Sequence, residues 1–324
     1  MTSKELVIKT IKGENPGRTP LYGWVRANLE QQISERFGSV ENFEDHYEFD
    51  MAHLFGGPRP YNNDELTELR RSGIEITPEV LLELPMEDPN RMEDYQNVIA
   101  ALKHHRERNR YCYIQSEGIF ECLNGPFGIE NHLMYLALYP DELKAVYERQ
   151  VEWNKQIANH MMELGVDGIH VSDDWGSQNT LMFSYDMFRE LIFPYHKQMA
   201  ENVNKHDGVL LSLHSDGCIA PALDSVVEIG YDFIHPWQEN ANMPYSLYLD
   251  KYQDKLGILG GICVQSALGF ENFERLEQEI RRVFSILKGK RWICCTTHFV
   301  QEHCSIEELI FAFDLARKLA NECL

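Results

Sequence analysis

The feature that most constrains the fold of this chain is a repeated alternation of short β-rich runs with longer amphipathic segments. Runs rich in β-branched and aromatic residues predict strands, and apolar residues at helical spacing between them predict helices. Such alternation favours parallel βαβ units. We predict eight strands, the second being the weakest because it fits a helix equally well: residues 19–23, 49–55, 110–115, 168–172, 209–213, 232–235, 257–259 and 292–296.

Boundary residues support several predicted helices. Pro140 and the acidic residues after it are typical of a first helical turn, and Gly165 follows the last turn of the same segment. Ser305 and Glu308 have capping-box spacing ahead of an apolar run. Pro194 lies inside a helical pattern and predicts a kink. The predicted helices cover residues 3–11, 28–37, 92–108, 140–164, 185–205, 221–229, 273–287 and 306–321.

The number of units favours a closed barrel. Eight βα units in 324 residues fit a (β/α)8 TIM barrel of the α/β class better than an open sheet. No repeat and no linker rich in glycine, serine or proline divides the chain. We therefore predict a single barrel domain over residues 1–324. Residues 56–89 fit neither pattern, and we predict that they form an insertion over the barrel mouth.

Charge and apolar patterning exclude two classes of partner. The chain has 51 acidic and 30 basic residues and a formal charge of −21, which repels a phosphate backbone, so no nucleic-acid partner is expected. Its apolar stretches fall far short of the ~18 residues of a membrane helix. Residues 1–12 lack the apolar core of a signal peptide. We expect a cytoplasmic protein without a membrane partner, whose eight cysteines are reduced.

In a TIM barrel the chemistry lies where the strands end, and one group of strand-end residues predicts a metal site. His214 and Asp216 follow one strand two residues apart and point the same way, so they can hold one ion together. His298, at the end of the last strand, is the third predicted ligand. Two histidines and a carboxylate are typical of catalytic zinc and also hold Fe(II). The alternative is that His214 bonds Asp216 and orders a loop.

Other strand-end residues predict acid–base chemistry and substrate contacts. Asp174 is a predicted catalytic residue because paired acids can share a proton, although one acid of the pair can instead cap a loop. Glu117 is predicted to be a general acid or a fourth metal ligand. The alternative is that it is a solvated carboxylate of a loop. Arg26 is predicted to bind an anionic group of the substrate. The alternative is that it forms only a salt bridge at the surface. A planar substrate is predicted to contact Trp24, Trp175, Trp237 and Gln238. The alternative for the three tryptophans is that they pack in the protein core.

Several segments together resemble the uroporphyrinogen decarboxylase superfamily, which includes that decarboxylase and its corrinoid-linked methyltransferase relatives. His214-Ser215-Asp216-Gly217 resembles its His-x-Cys-Gly motif. The resemblance covers nearly the whole chain, is specific for the superfamily and implies a (β/α)8 barrel. The other segments that carry it are residues 17–21, 165–178, 188–195, 260–262 and 297–309.

Two departures from the decarboxylase pattern argue against decarboxylation of a porphyrinogen. The decarboxylase has a first loop of the form Met-Arg-Gln-Ala-Gly-Arg, whereas residues 25–30 retain only Arg26. It also has a catalytic aspartate after the second strand, where the nearest residues of this chain are Gly56 and Gly57.

The resemblance to the corrinoid methyltransferases implies a ligand set for zinc. Their zinc is held by the His and Cys of His-x-Cys and by a later Cys. The corresponding positions are His214, Asp216 and His298. A carboxylate and an imidazole thus replace two thiolates, which suits coordination of an oxygen better than activation of a thiol.

We therefore predict a methyltransferase that moves a methyl group between a methylated small molecule and a corrinoid (cobalamin) on a partner protein. The expected donor is a methyl ether, in an O-demethylation of anaerobic metabolism, and the expected metal is zinc. Transfer from a methyl-corrinoid to a thiol or pterin, a metal-free decarboxylase and a non-catalytic tetrapyrrole-binding barrel are the alternatives. The sequence gives no oligomeric state, and a homodimer is compatible with it.

Overall fold

The computed structural model describes residues 1–322, and its strands and helices alternate as predicted. The strands are Met51–Leu54 (β1), Tyr111–Glu117 (β2), Gly168–Ser172 (β3), Leu210–His214 (β4), Phe233–His235 (β5), Gly257–Ile262 (β6) and Trp292–Thr296 (β7). The α-helices are Ser3–Ile11 (α1), Glu30–Phe37 (α2), Val40–His46 (α3), Asn63–Arg71 (α4), Pro78–Glu83 (α5), Gln96–Arg106 (α6), Glu121–Phe127 (α7), Ile129–Leu138 (α8), Pro140–Leu164 (α9), Tyr185–Met187 (α10), Phe193–Val203 (α11), Leu223–Ile229 (α12), Tyr245–Lys251 (α13), Phe273–Leu287 (α14) and Ile306–Asn321 (α15). Met92–Tyr95, Ala220–Ala222 and Glu239–Ala241 are 3-10 helices, and Phe188–Ile192 is a π-helix.

The seven strands form one sheet in chain order, which is the order expected of consecutive βα units. The pairs β2–β3, β3–β4, β5–β6 and β6–β7 are parallel. Every residue of β3, β4 and β7 is buried, as in parallel sheets covered on both faces. The fold is therefore α/β and consistent with a TIM-barrel-like architecture.

The chain divides into two compact units. The first unit consists of residues 1–53, 105–112 and 232–324, and the second of residues 54–104 and 113–231. β3 and β4 lie within the second unit, and β5 to β7 within the first. The single domain over residues 1–324 stays a prediction.

The predicted first strand is wrong as a strand and is replaced by an isolated bridge. Leu21 makes a single parallel bridge with Cys294 of β7. The amide of Cys294 donates to the carbonyl of Pro20 at 3.0 Å, and the amide of Asp50 donates to the carbonyl of Leu21 at 2.8 Å. Pro20 has no amide hydrogen to donate to β7, so the ladder does not continue toward the N-terminus.

Residues 56–89, the predicted insertion, carry α4 and α5 and are held against α9 within the second unit. Arg149 of α9 donates to the carbonyls of Leu81 and Leu82 at 2.6 and 2.9 Å. The indole of Trp153 donates to the carbonyl of Glu87 at 2.8 Å. Their position over a barrel mouth stays a prediction.

A π-helical turn precedes Pro194, the residue at which the sequence predicts a kink. The amide of Phe193 donates to the carbonyl of Phe188, five residues back, and Pro194 follows in the first turn of α11. A widened turn accommodates a proline, which has no amide hydrogen to give. α1, α9, α14 and α15 have the predicted bounds. No helix within residues 1–322 is long and apolar enough to cross a membrane.

Candidate active site

β3 and β4 end level with each other in the second unit. Their register pairs Ser172 with His214, the last residue of each strand, so the residues that follow lie side by side. The amide of Asp216 donates a hydrogen bond of 2.7 Å to Oδ1 of Asp174. The same oxygen lies 3.8 Å from Nε2 of His214. The structure thus brings three predicted site residues together, and we call Asp174, His214 and Asp216 the strand-end cluster.

The strand-end cluster combines a potential metal ligand pair with protonatable carboxyls. The ligand atoms of His214 and Asp216 lie within 4.8 Å of each other. Burial, followed by the charge of Asp174, raises the pKa of Asp216 to about 7. Burial also raises the pKa of Asp174, although the hydrogen bond from the Asp216 amide opposes this. Two partly buried carboxyls near one imidazole are a set of donor atoms whose ionised form a divalent cation would stabilise.

Asp173, the other acid of the predicted pair, caps a loop and does not line an open surface. It is fully buried, and its Oδ1 accepts the amides of Phe120 and Glu121 at 2.9 and 2.6 Å. Its Oδ2 accepts Nε1 of Trp175 and Nε2 of His196, both at 2.7 Å. Burial alone would raise the pKa of Asp173, but the hydrogen bond and charge of His196 and the other donors lower it. Asp173 therefore fixes the loops that carry its neighbours.

Two glutamates near the end of β2 hold their protons more tightly than usual. Burial, then the charges of Asp174 and Asp173, raises the pKa of Glu121 to about 8. The hydroxyl of Ser172 donates to Oε2 of Glu121 at 2.9 Å. Glu117 is solvent-accessible, yet desolvation by the surrounding protein raises its pKa. Glu121 is the acid that sequence reasoning missed, since it follows a predicted strand like many others and only the folded contacts single it out.

Glycines let the loops after β3 and β4 approach each other. A Cβ on Gly176 would lie 2.4 Å from the carbonyl oxygen of Asp216, and one on Gly217 would lie 2.7 Å from backbone atoms of Gly176. The amide of Cys218 donates to the carbonyl of Ser177 at 2.7 Å. Backbone contact at this distance holds Asp216 in place relative to the β3 loop.

Two of the predicted substrate-binding tryptophans pack in the interior. Trp175 is 0% exposed, and its backbone amide donates to Oγ of Ser215 at 2.9 Å. Trp237 is 1% exposed, and its indole donates to the carbonyl of Met243 at 2.6 Å. Packing, the alternative for these rings, is what the structure shows for Trp175, because a buried indole that has a hydrogen-bond partner is stable in a core. Trp237 is equally buried but also lines a cavity, so its contact with a substrate stays a prediction.

Trp24, the third tryptophan, lies among strand-end histidines of the first unit. Its ring centroid is 5.1 Å from that of His53, 5.8 Å from that of His235 and 5.5 Å from that of His298. Its amide donates to Oγ1 of Thr296 at 3.2 Å. His298 is half-buried, and desolvation lowers its pKa, which favours the neutral imidazole that a metal ligand needs. Contact of Trp24 with a substrate stays a prediction.

Arg26 is engaged by two carboxylates of the first unit. Its Nε lies 2.8 Å from Oε1 of Glu44, and its Nη1 lies 3.0 Å from Oε1 of Glu41. The salt-bridge alternative is therefore present. Binding of a substrate anion by Arg26 stays a prediction, and it requires competition with both acids.

Gln238 and the edge of Trp237 line a cavity of about 530 Å³ in the first unit. The cavity lies beside the loops after β5 and β6 and one face of α14. Its volume is typical of small-molecule sites, which measure roughly 300–1,000 Å³.

The chain is similar to one known protein family and to two solved structures of other proteins. The uroporphyrinogen decarboxylase (URO-D) family model matches residues 122–319. No curated protein sequence matches the chain. The solved structure of a methyltransferase from Methanosarcina mazei is 16% identical, with a TM-score of 0.70 and 98% of each chain covered. A B12-independent methionine synthase from Shewanella sp. W3-18-1 is 11% identical, with a TM-score of 0.55, 94% of this chain and 93% of that chain covered. At these identities the likeness to both structures is one of fold.

Proposed function

This chain belongs to the uroporphyrinogen decarboxylase family, and on that premise we propose that it is a methyltransferase that passes a methyl group from a methyl ether to a corrinoid on a separate protein. The observation that carries the proposal is the strand-end cluster, where the β3–β4 register brings an imidazole and two proton-binding carboxyls to one edge of the sheet. Ether cleavage needs an electrophile at oxygen and a proton for the leaving group. These residues are suited to hold a metal ion that would act as the electrophile, and carboxyls nearby are suited to give the proton.

We infer that zinc binds to His214, Asp216 and His298. The ligand atoms of His214 and Asp216 lie within 4.8 Å of each other in the second unit, and burial together with the charge of Asp174 raises the pKa of Asp216, a carboxyl that a cation would keep ionised. His298, in the first unit, follows β7 and has the lowered pKa of a neutral imidazole. When bound, the metal supplies a Lewis acid for an ether oxygen, and nitrogen and carboxylate ligands suit that role better than thiolates.

We assign the proton to a carboxyl of the second unit. Cleavage of the methyl–oxygen bond leaves an alkoxide or phenoxide, and Glu121 holds a proton at neutral pH because its pKa is about 8. The hydroxyl of Ser172 orients that carboxyl. Asp174 and Glu117 keep their predicted catalytic roles. Asp174 holds the Asp216 backbone, and Glu117 is a second proton donor near the same strand end.

Two alternatives rank lower. Transfer from a methyl-corrinoid to a thiol or pterin would use the same strand-end cluster, but the absence of thiolates from the inferred ligand set disfavours a thiol acceptor. A metal-free decarboxylase would need Arg26 to hold a substrate carboxylate, and Arg26 is already paired with Glu44 and Glu41.

The metal is tested by measuring the zinc content of anaerobically purified protein by mass spectrometry. We expect one zinc per chain in the wild type and its loss in His214→Ala. The matched control is His206→Ala, a half-buried histidine of the same unit outside the strand-end cluster, which should keep the metal. Wild-type protein that remains free of metal after zinc is supplied would refute the zinc site.

The transfer is tested with free cob(I)alamin and a panel of methyl ethers, by following the absorbance change that accompanies methylcobalamin formation. We expect Glu121→Gln to slow the reaction at least about 100-fold, the lower end of the range for a general acid. Glu130→Gln, which changes an exposed acid of α8, should leave the rate unchanged. Zinc-loaded protein that methylates cob(I)alamin with none of the ethers would overturn this function while leaving the metal site intact.

A further inference from the structure

One face of α14 lines the cavity of the first unit. Buried apolar residues on the other face, including Leu276 and Ile280, anchor the helix in the core. Arg275, Gln278 and Arg282 recur at spacings of three and four residues and point into the cavity. The polar face of this helix is thus turned toward an open space of about 530 Å³ and not only toward bulk solvent.

The two arginines of this face differ in their surroundings. Arg282 is held by Glu239 and by Glu279, with 2.7 Å between its Nη2 and Oε1 of Glu279, so its charge is offset. Arg275 has no carboxylate partner among residues 1–322, and its guanidinium lies 5.9 Å from the ring centroid of the exposed Phe270. The lining thus holds two arginines and two glutamates, and Arg275 is the arginine that no carboxylate within residues 1–322 pairs with.

Glu239 and Glu279, the two partners of Arg282, also line the cavity, and the other lining residues are neutral and rich in hydrogen-bonding groups. Gln238, which is 7% exposed, and Gln265 and Gln278 contribute side-chain amides, each with two donors and an acceptor. Trp237 and Tyr245 contribute aromatic surface. This lining suits a small body that carries hydroxyl or carbonyl groups, and Arg275 suits a carboxylate, which a guanidinium binds through two parallel hydrogen bonds.

We propose that this cavity binds a small organic carboxylate, with Arg275 paired to the carboxylate and the amides bonded to polar groups on its body. If the proposed function holds, that carboxylate is part of the methyl ether, so this identification of the substrate class rests on the proposed function. The proposal that the cavity binds a carboxylate does not rest on the proposed function.

The test is calorimetric titration of the whole chain with two probes of the same shape, 4-methoxybenzoate and 4-methoxybenzamide. We expect the carboxylate to bind about five- to tenfold more tightly than the amide, the range for a partly exposed guanidinium–carboxylate pair. Arg275→Ala should remove that preference, and Arg275→Lys should restore part of it. The control is Arg281→Ala, which changes an exposed arginine of the same helix that pairs with Glu277 and does not line the cavity.

The outcomes separate this site from the proposed reaction. Equal affinity for the two probes in the wild type, equal effects of the two alanine variants, or no binding of the carboxylate would overturn the site. Inorganic phosphate that displaces 4-methoxybenzoate completely and binds more tightly would show that the site takes an anion of another class, which also overturns it. Arg275-dependent binding without methyl transfer to cob(I)alamin would uphold the site and refute the proposed function.

Discussion

Replacement of Asp173 by asparagine tests whether the buried network of the second unit sets the stability of the site. Asp173 accepts four hydrogen bonds, from the amides of Phe120 and Glu121, from Nε1 of Trp175 and from Nε2 of His196. Asparagine has one acceptor oxygen, so its NH2 group faces two donors whichever way it turns. Leaving two buried donors unsatisfied costs about 1–3 kcal/mol each, so we expect a loss of roughly 2–6 kcal/mol in the free energy of unfolding.

Urea denaturation at pH 7 measures this loss, and the neighbouring residue gives the control. Asp174→Asn keeps an oxygen that accepts the Asp216 amide, and the side chain is 32% exposed, so its cost should stay below about 1 kcal/mol. If the two variants unfold at the same urea concentration with the same slope, the network argument is refuted.

The pH dependence of the Asp173 effect has a definite sign. Burial favours the neutral acid, but the hydrogen bond and charge of His196 and the other donors lower the pKa below its ordinary value. Such a carboxylate stabilises the fold fully above its unfolded pKa of about 3.9, and the stabilisation is lost as the pH falls through the folded pKa. The gap between wild type and Asp173→Asn should stay constant from about pH 5 to 7 and narrow below about pH 4. A gap that widens in acid would contradict the assignment.

Three further changes test other parts of the molecule. The pKa of Glu121 is about 8 in the folded state and exceeds the unfolded value of about 4.3, so wild-type stability should fall as the pH rises from about 5 to 8. In urea denaturation the stability of Glu121→Gln should rise relative to that of the wild type over the same range, with no further relative gain above about pH 9. Gly176→Ala should cost about 1–3 kcal/mol or more because its Cβ meets backbone at 2.4 Å, whereas Gly125→Ala, in open space within α7, should be neutral or gain about 0.5–1 kcal/mol; equal melting temperatures would contradict this. Arg26→Ala should lower stability by about 1–3 kcal/mol, because it removes one of the two arginines that pair with the buried carboxylate of Glu44, and unchanged stability in the same assay would contradict this.

The sequence was most informative about the elements whose signals are local. α9 begins at Pro140 and ends before Gly165, and α14 and α15 follow their apolar periodicity, so their bounds were predicted correctly. The segment 19–23 was predicted as a strand from its composition. Whether a short run pairs along its length depends on neighbours distant in the chain, here Cys294 and Asp50, which periodicity does not contain.

The site was predictable where it follows from strand ends and was not where it depends on burial. The positions of Asp174, His214 and Asp216 beside one another follow from parallel strands in register. The different surroundings of Asp173 and Asp174 cannot be predicted from the sequence, where they are adjacent acids of the same type. In the folded chain Asp173 is fully buried among hydrogen-bond donors, whereas Asp174 remains partly exposed. The raised pKa of Glu121 likewise arises from desolvation and from acids more than fifty residues away.

These contrasts separate the residues that hold the site from those that are suited to act in it. The two carboxylate oxygens of Asp173 accept hydrogen bonds from four buried donors, which leaves no lone pair directed toward a ligand. Asp173 therefore acts by positioning the loops that follow β2 and β3. Asp174, in the same loop as Asp173, accepts one hydrogen bond from the backbone amide of Asp216, and its carboxylate lies 3.8 Å from His214. A change at Asp173 should therefore reduce stability and metal retention together, since the loops that carry the ligands loosen. A change at Asp174 should affect the reaction at nearly unchanged stability, and the paired variants distinguish these two roles by measuring unfolding and zinc content on the same preparations.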